Sequence, residues 1–219
     1  VGRSGSTLID LIVGQADGFF SAGELRWVWE RSFVQNQLTS TQEPFRESPF
    51  WQDVVKEAYG GFDKIDPERI EKLREQVDRF RYVPQMMTGR YSKTYKPLFD
   101  EYANILKRLY IGIQAVTGCR YIIDSSKNSP HAYILNTIPE IDVYMAHLIR
   151  DSRAFAYSWQ RKKLRPEIHW KEAHMANFSL RWCARRWNNE NFFIPLMQTT
   201  NKRYTMMRYE DFVENPQRE

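Results

Sequence analysis

Five residues near the start of the chain, Arg3-Ser4-Gly5-Ser6-Thr7, place a guanidinium, three hydroxyls and a glycine just ahead of an apolar run. Leu8, Ile9, Leu11 and Ile12 recur at helical spacing, which predicts a helix from about Ser6. A glycine-rich turn at a helix N-terminus offers unpaired backbone N–H groups and the positive end of the helix dipole to an anion. Ser4, Ser6 and Thr7 add hydroxyl donors, and Arg3 adds a forked cation suited to phosphate or sulfate oxygens. The usual nucleotide-triphosphate loop is G-x-x-x-x-G-K-[ST]. Here Ser6 stands where that lysine belongs, which disfavours a nucleoside-triphosphatase. Alone, the loop reads equally as a capped helix after a flexible turn.

Two further polar clusters gain meaning from the elements that carry them. "RYIID" at 120–124 and "IDVYMAHLI" at 141–149 read as strands, and "DSSKNS" and "RDSR" follow them directly. "GQADGFFSAGE" reads as a turn and a short strand, and "KRYTMMRY" as a closing strand. Helices are predicted after each cluster, at "SSKNSPHAYILNTI" and "RDSRAFAYSWQRKK", and through "WKEAHMANFSLRWCARRWNNENFFIPLM" at 170–197. Asp66-Pro67-Glu68 marks a helix start, and Gly118 closes a long helix beginning near Tyr95. Strands alternating with helices predict an α/β fold, a parallel sheet flanked by helices. In such a sheet ligands sit at the carboxyl ends of the strands, where the three clusters converge.

The combined pattern resembles the sulfotransferases that use 3′-phosphoadenosine 5′-phosphosulfate (PAPS) and release 3′-phosphoadenosine 5′-phosphate (PAP). Their 5′-phosphosulfate loop, R-[ST]-G-[ST]-[ST], is similar to Arg3-Ser4-Gly5-Ser6-Thr7, and their 3′-phosphate motif R-D-x-R-A-x-x-x-S is similar to "RDSRAFAYS". Arg150 and Ser158 hold the two matching ends, and Lys162 and Arg161 lie one turn beyond. "RYEDFVENP" resembles the closing motif, whose tyrosine, here Tyr209, lies near the nucleotide. The likeness is nearest to the carbohydrate and tyrosylprotein branches. It implies a three-layer, nucleotide-kinase-like fold with a helical insertion. It also implies that 1–219 is one domain lacking its first strand and its C-terminal part.

Sulfuryl transfer to a hydroxyl or amine needs a base for the acceptor proton, cations for the charge that builds up, and in-line partners. The resemblance implies Glu24, 21 residues (24 − 3) after Arg3, as the base, with Arg26 near the acceptor or departing group. It implies Lys127 against the sulfonate and bridging oxygen, a role that suits a mobile ammonium. With Arg3 these form the expected catalytic set. A 3′-phosphate carries about two negative charges at neutral pH, so a second cationic site is required, and Arg150 supplies it. Trp27 and Trp29 either line an acceptor cleft or pack. Among the four histidines, His147 reads as a core residue and His131 as a reserve base, while the spacing of His169 and His174 does not suit a metal.

Composition bounds the rest. The 219 residues are 42% hydrophobic and 15% aromatic with a formal charge of +5, ample for a core and suited to an anionic small ligand. Two cysteines imply no disulfide framework and a reducing, cytoplasmic setting. No apolar run is long enough to span a membrane. The basic stripe or paired aromatic platforms of a nucleic-acid binder are missing. Residues 40–118 read as a helical insertion capping the acceptor side, where "RFRYVPQMMTGRYSKTYK" suits a small-molecule, carbohydrate, lipid or peptide acceptor. The rival readings are a nucleotide or metabolite kinase with an atypical loop and a non-catalytic nucleotide-binding module.

Overall fold

The computed structural model describes residues 4–214. Chain order runs α1 (Ser6–Val13), β1 (Phe19–Ser21), α2 (Pro49–Tyr59), α3 (Pro67–Val77), α4 (Val83–Thr88) and α5 (Tyr95–Thr117). It continues through β2 (Tyr121–Ile123), α6 (Ser129–Asn136), β3 (Met145–Ile149), α7 (Ser152–Gln160), α8 (Leu180–Leu196), β4 (Tyr204–Arg208) and α9 (Tyr209–Glu214). The fold is α/β, and all strand pairing among the described residues is parallel. The strands form two separate pairs: β1 with β2, Phe19 opposite Tyr121, and β3 with β4, Met145 opposite Tyr204.

Local signals set most element ends. The Asp66 carboxylate accepts from the Arg69 amide and Pro67 opens α3 without losing a hydrogen bond. Gly118, at φ 64°, ends α5 in the left-handed conformation that a β-carbon disfavours. Asn128 caps α6 through the His131 amide, and Asp151 caps α7 through the amides of Arg153 and Ala154.

Two predicted elements are shorter than expected. The strand expected at 141–149 begins at Met145. The helix expected over 170–197 begins at Leu180, because the Ser179 side chain caps the Trp182 amide. The segment before it turns and pairs back on itself through an antiparallel bridge, Leu164 to His174.

The main core lies in the helical region that joins the expected insertion, 40–118, to the segment just before it. A wide-turn helical segment, Val28–Val34, together with α2, α3 and α5 encloses Trp29, Phe33, Phe45, Val54, Tyr102 and Leu106. Gly112 of α5 lets α2 approach so closely that a β-carbon there would press on Ala58. α1 behaves differently from its apolar pattern. Leu8, Leu11 and Ile12 are exposed, while Asp10 is buried and accepts the Ser21 hydroxyl at 2.7 Å. That bond ties the middle of α1 to the last residue of β1.

Candidate functional site

Gly5 is the N-cap of α1 at φ 91°, and its carbonyl accepts from the Leu8 amide at 2.9 Å. No side chain caps the first turn, and the buried Ser6 hydroxyl has no hydrogen-bond partner among the described residues. Ser4 is buried and Thr7 is exposed. Arg3 lies outside the described residues. A β-carbon at Gly5 would overlap the Tyr209 ring, so glycine is demanded twice here, by φ and by contact.

Tyr209 links this turn to the second cluster. The Arg150 guanidinium lies over its ring, 4.6 Å from the centroid. Arg150 leaves β3 just before α7, and Tyr209 leaves β4 into α9, so the pairing of the two strands brings both to one end. The loop is fixed from two sides: Glu210 accepts from the Asp151 amide at 3.0 Å, and Trp187 Nε1 donates to the Arg150 carbonyl at 2.9 Å. The first, third and last motifs thus meet around one tyrosine ring. Ser158 is half-buried in the second turn of α7, and Lys162 is exposed past the end of that helix.

Glu24 and Lys127 leave β1 and β2 at the same carboxyl end and form an ion pair. Arg31 holds the other Glu24 oxygen at 3.0 Å. Burial by itself would raise the Glu24 carboxyl, but Lys127 and Arg31 outweigh it and hold the group below the usual carboxylate range. Asp124 fixes both loops. One oxygen accepts from the Leu25 amide at 3.2 Å and the Ser126 amide at 2.8 Å, and the other engages the Tyr110 hydroxyl and His131 Nε2. Burial favours the neutral acid, yet these bonds, His131 foremost, keep Asp124 below its ordinary range. Asp124 therefore positions both loops, and His131, expected as a reserve base, is buried beside it.

Arg26, expected near the acceptor or departing group, is buried. Its side chain is buried against Asp78, Nε to Oδ2 2.6 Å, and the Asp78 side chain is 0% exposed. A buried guanidinium needs such a counter-charge, and Asp78 at the end of α3 provides it. Trp27 is half-buried under three guanidiniums, those of Arg26, Arg31 and Arg74 at 4.2, 4.9 and 5.2 Å. Trp29 is core. His147 is also internal, between the Tyr204 hydroxyl at 2.6 Å and Asn191 Oδ1 at 3.0 Å.

Three residues that the motif reading passed over complete the site. Arg31 steadies Glu24, and its spacing of seven along a helical segment was the available signal. Arg186 donates to the Lys127 carbonyl at 3.3 Å and pairs with Glu190 at 2.6 Å, an (i, i+4) pattern visible in the sequence. Buried Glu190 accepts from the Ser129 amide at 2.9 Å and from its hydroxyl, which ties α8 to the first turn of α6.

Comparison with protein-family models, with curated proteins and with solved structures yields no significant match to this chain. Among the described residues there is no group of three His, Cys, Asp or Glu side chains able to hold a metal, and no helix long and apolar enough to cross a membrane.

Proposed function

We propose that this chain is a PAPS-dependent sulfotransferase acting on a hydroxyl or amine acceptor, built on a three-layer, nucleotide-kinase-like plan. The observation that carries the proposal is the meeting of Gly5, Tyr209 and Arg150, which sets an uncapped helix N-terminus beside a guanidinium. A 3′,5′-bisphosphorylated nucleotide needs two separate anion sites, and this arrangement offers two. The orphaned Ser6 hydroxyl and the open first turn of α1 fit the 5′ group, with Ser4, Thr7 and Arg3 in the same loop. Arg150 fits the 3′-phosphate, with Ser158 and Lys162 as further donors along and beyond α7.

PAPS supplies a sulfuryl group whose departure leaves negative charge on the bridging oxygen. Lys127, at the mouth of β2, holds an ammonium that stabilises such charge. In the resting pair Lys127 neutralises Glu24, so the carboxylate is a weak base. Movement of Lys127 toward the donor leaves Glu24 with Arg31 alone. Its proton affinity then rises at the moment the acceptor hydroxyl must lose its proton. The proposed setting is cytoplasmic, in keeping with two buried free thiols, Cys119 and Cys183.

Calorimetric titration with PAP, 5′-AMP and ATP tests the reading. Preference for PAP over 5′-AMP, lost in Arg150→Ala, is the expected result. Equal binding of PAP and 5′-AMP, or tighter binding of ATP, overturns it and moves a kinase to the front.

A further inference from the structure

Beside the Lys127 loop, whose carbonyl accepts from Arg186, the surface opens into a cleft of about 340 Å³ lined by Phe80, Trp182, Arg185, Arg186 and Asn189. Four of the five residues come from α8 at positions i, i+3, i+4 and i+7, one face of the helix. Phe80 faces them from the short helical turn at Phe80–Tyr82. The volume falls within the range of small-molecule sites.

The walls are held in place. Trp182 stacks on Phe178 with centroids 3.8 Å apart, and Trp159 meets it edge-on at 5.8 Å. Phe80 contacts Phe193 at 5.4 Å and lies under the Arg186 guanidinium at 5.5 Å. Arg186 is fixed by Glu190 and by the Lys127 carbonyl, so one edge of the cleft adjoins the lysine loop. Arg185 differs from its neighbour, because no ion pair among the described residues engages it. No carboxylate lines the cleft. An aromatic floor, an uncommitted guanidinium fork and a side-chain amide together select a ring that carries an anionic group.

We propose that this cleft is the acceptor subsite and that it takes a ring-shaped acceptor bearing a carboxylate. Arg185 receives the carboxylate and Phe80 and Trp182 receive the ring. The acceptor hydroxyl is thereby turned toward Lys127 and Glu24. The assignment rests on the sulfotransferase reading for its meaning, but binding in the cleft does not depend on turnover.

Calorimetry with two carboxylate probes, methyl β-D-glucuronide and 4-hydroxyphenylacetate, separates a sugar acid from an aromatic acid. Methyl β-D-glucoside and 4-hydroxyphenylacetamide serve as their neutral counterparts. At least one carboxylate probe binds more tightly than its counterpart, and Arg185→Gln weakens that probe about fivefold, leaving the counterpart unchanged. Arg185 is exposed, so the variant folds. Neither carboxylate probe binding, equal binding of charged and neutral probes, or no effect of Arg185→Gln overturns the assignment. A parallel PAP titration reports on the sulfotransferase reading by itself. Carboxylate binding without PAP binding removes that reading and leaves the cleft standing.

Discussion

Trp29, Phe33 and Phe45 are sealed inside the helical region, whereas every residue of β1 and β2 keeps some exposure and β4 buries none of its five. Parallel strands in α/β proteins are ordinarily buried on both faces. Here they are three to five residues long and serve as rails for the loops that follow them. The residues that hold the chain together and those that would do its chemistry therefore lie in different places. Arg26, Arg31 and Trp27 join them at the end of β1 through Asp78 and Arg74, and the Tyr110 hydroxyl of α5 joins them at Asp124.

The strongest way to break this contrast is to damage the helical side. Trp29→Ala should cost about 3–5 kcal/mol, a large share of a typical domain's stability. Urea denaturation followed by circular dichroism measures it, and an unchanged midpoint would show that the core lies elsewhere. Damage to the loop side should look opposite. Glu24→Gln is expected to lower turnover by about 10²–10⁴-fold while PAP affinity and the denaturation midpoint stay put. Turnover equal to that of the unaltered chain would remove Glu24 as the base.

Gly5→Ala sharpens the comparison, because it strikes a backbone position with no core around it. The β-carbon must displace the Tyr209 ring and hold φ near 91°, a strain of about 1–3 kcal/mol. PAP affinity should fall about tenfold, and the urea midpoint should drop by no more than that strain accounts for; a fall in the midpoint without loss of affinity would place Gly5 in the scaffold instead.

The smallest effect concerns His147, the buried polar centre of the β3–β4 pair. Burial pushes its imidazole down to about 4, with the Asn191 hydrogen bond opposing in part. A depressed folded value means that its contribution is complete above the unfolded value of about 6.5 and is lost as pH falls toward 4. Between pH 7 and 5.5 the loss should be about 1 kcal/mol. His147→Gln should flatten the thermal midpoint across that window, and an unaltered slope would assign it to other groups.

How much was legible follows from how local each signal is. The caps at Asp66 and Asp151 and the glycine stop at Gly118 depend on neighbours within a turn, and all three could be read directly. The start of α8 was also present, in Ser179, but the helix-forming composition of the preceding residues masked it. The fate of Arg26 was not readable, since Asp78 lies 52 residues away (78 − 26) and only the packing of α3 brings them together. The same holds for Arg186 beside Lys127, 59 residues apart in sequence. In α1 the apolar periodicity marked a helix, but it carried no sign that Asp10 would be buried and held by Ser21 while Leu8, Leu11 and Ile12 stay exposed.

Separate strand pairs leave one quantity adjustable. The pair that carries Arg150 and Tyr209 shares no ladder, among the described residues, with the pair that carries Glu24 and Lys127. A ladder would lock the spacing between a held nucleotide and the base to the strand repeat. Side chains do that job instead, with buried Glu190 pinning the α6 terminus against α8 like a rivet between two plates. In the proposed reading, the gauge between donor and acceptor is thus set by side chains of α8, Glu190 with its three bonds and Trp187 on the Arg150 carbonyl, so it can be retuned by substitution without altering either plate.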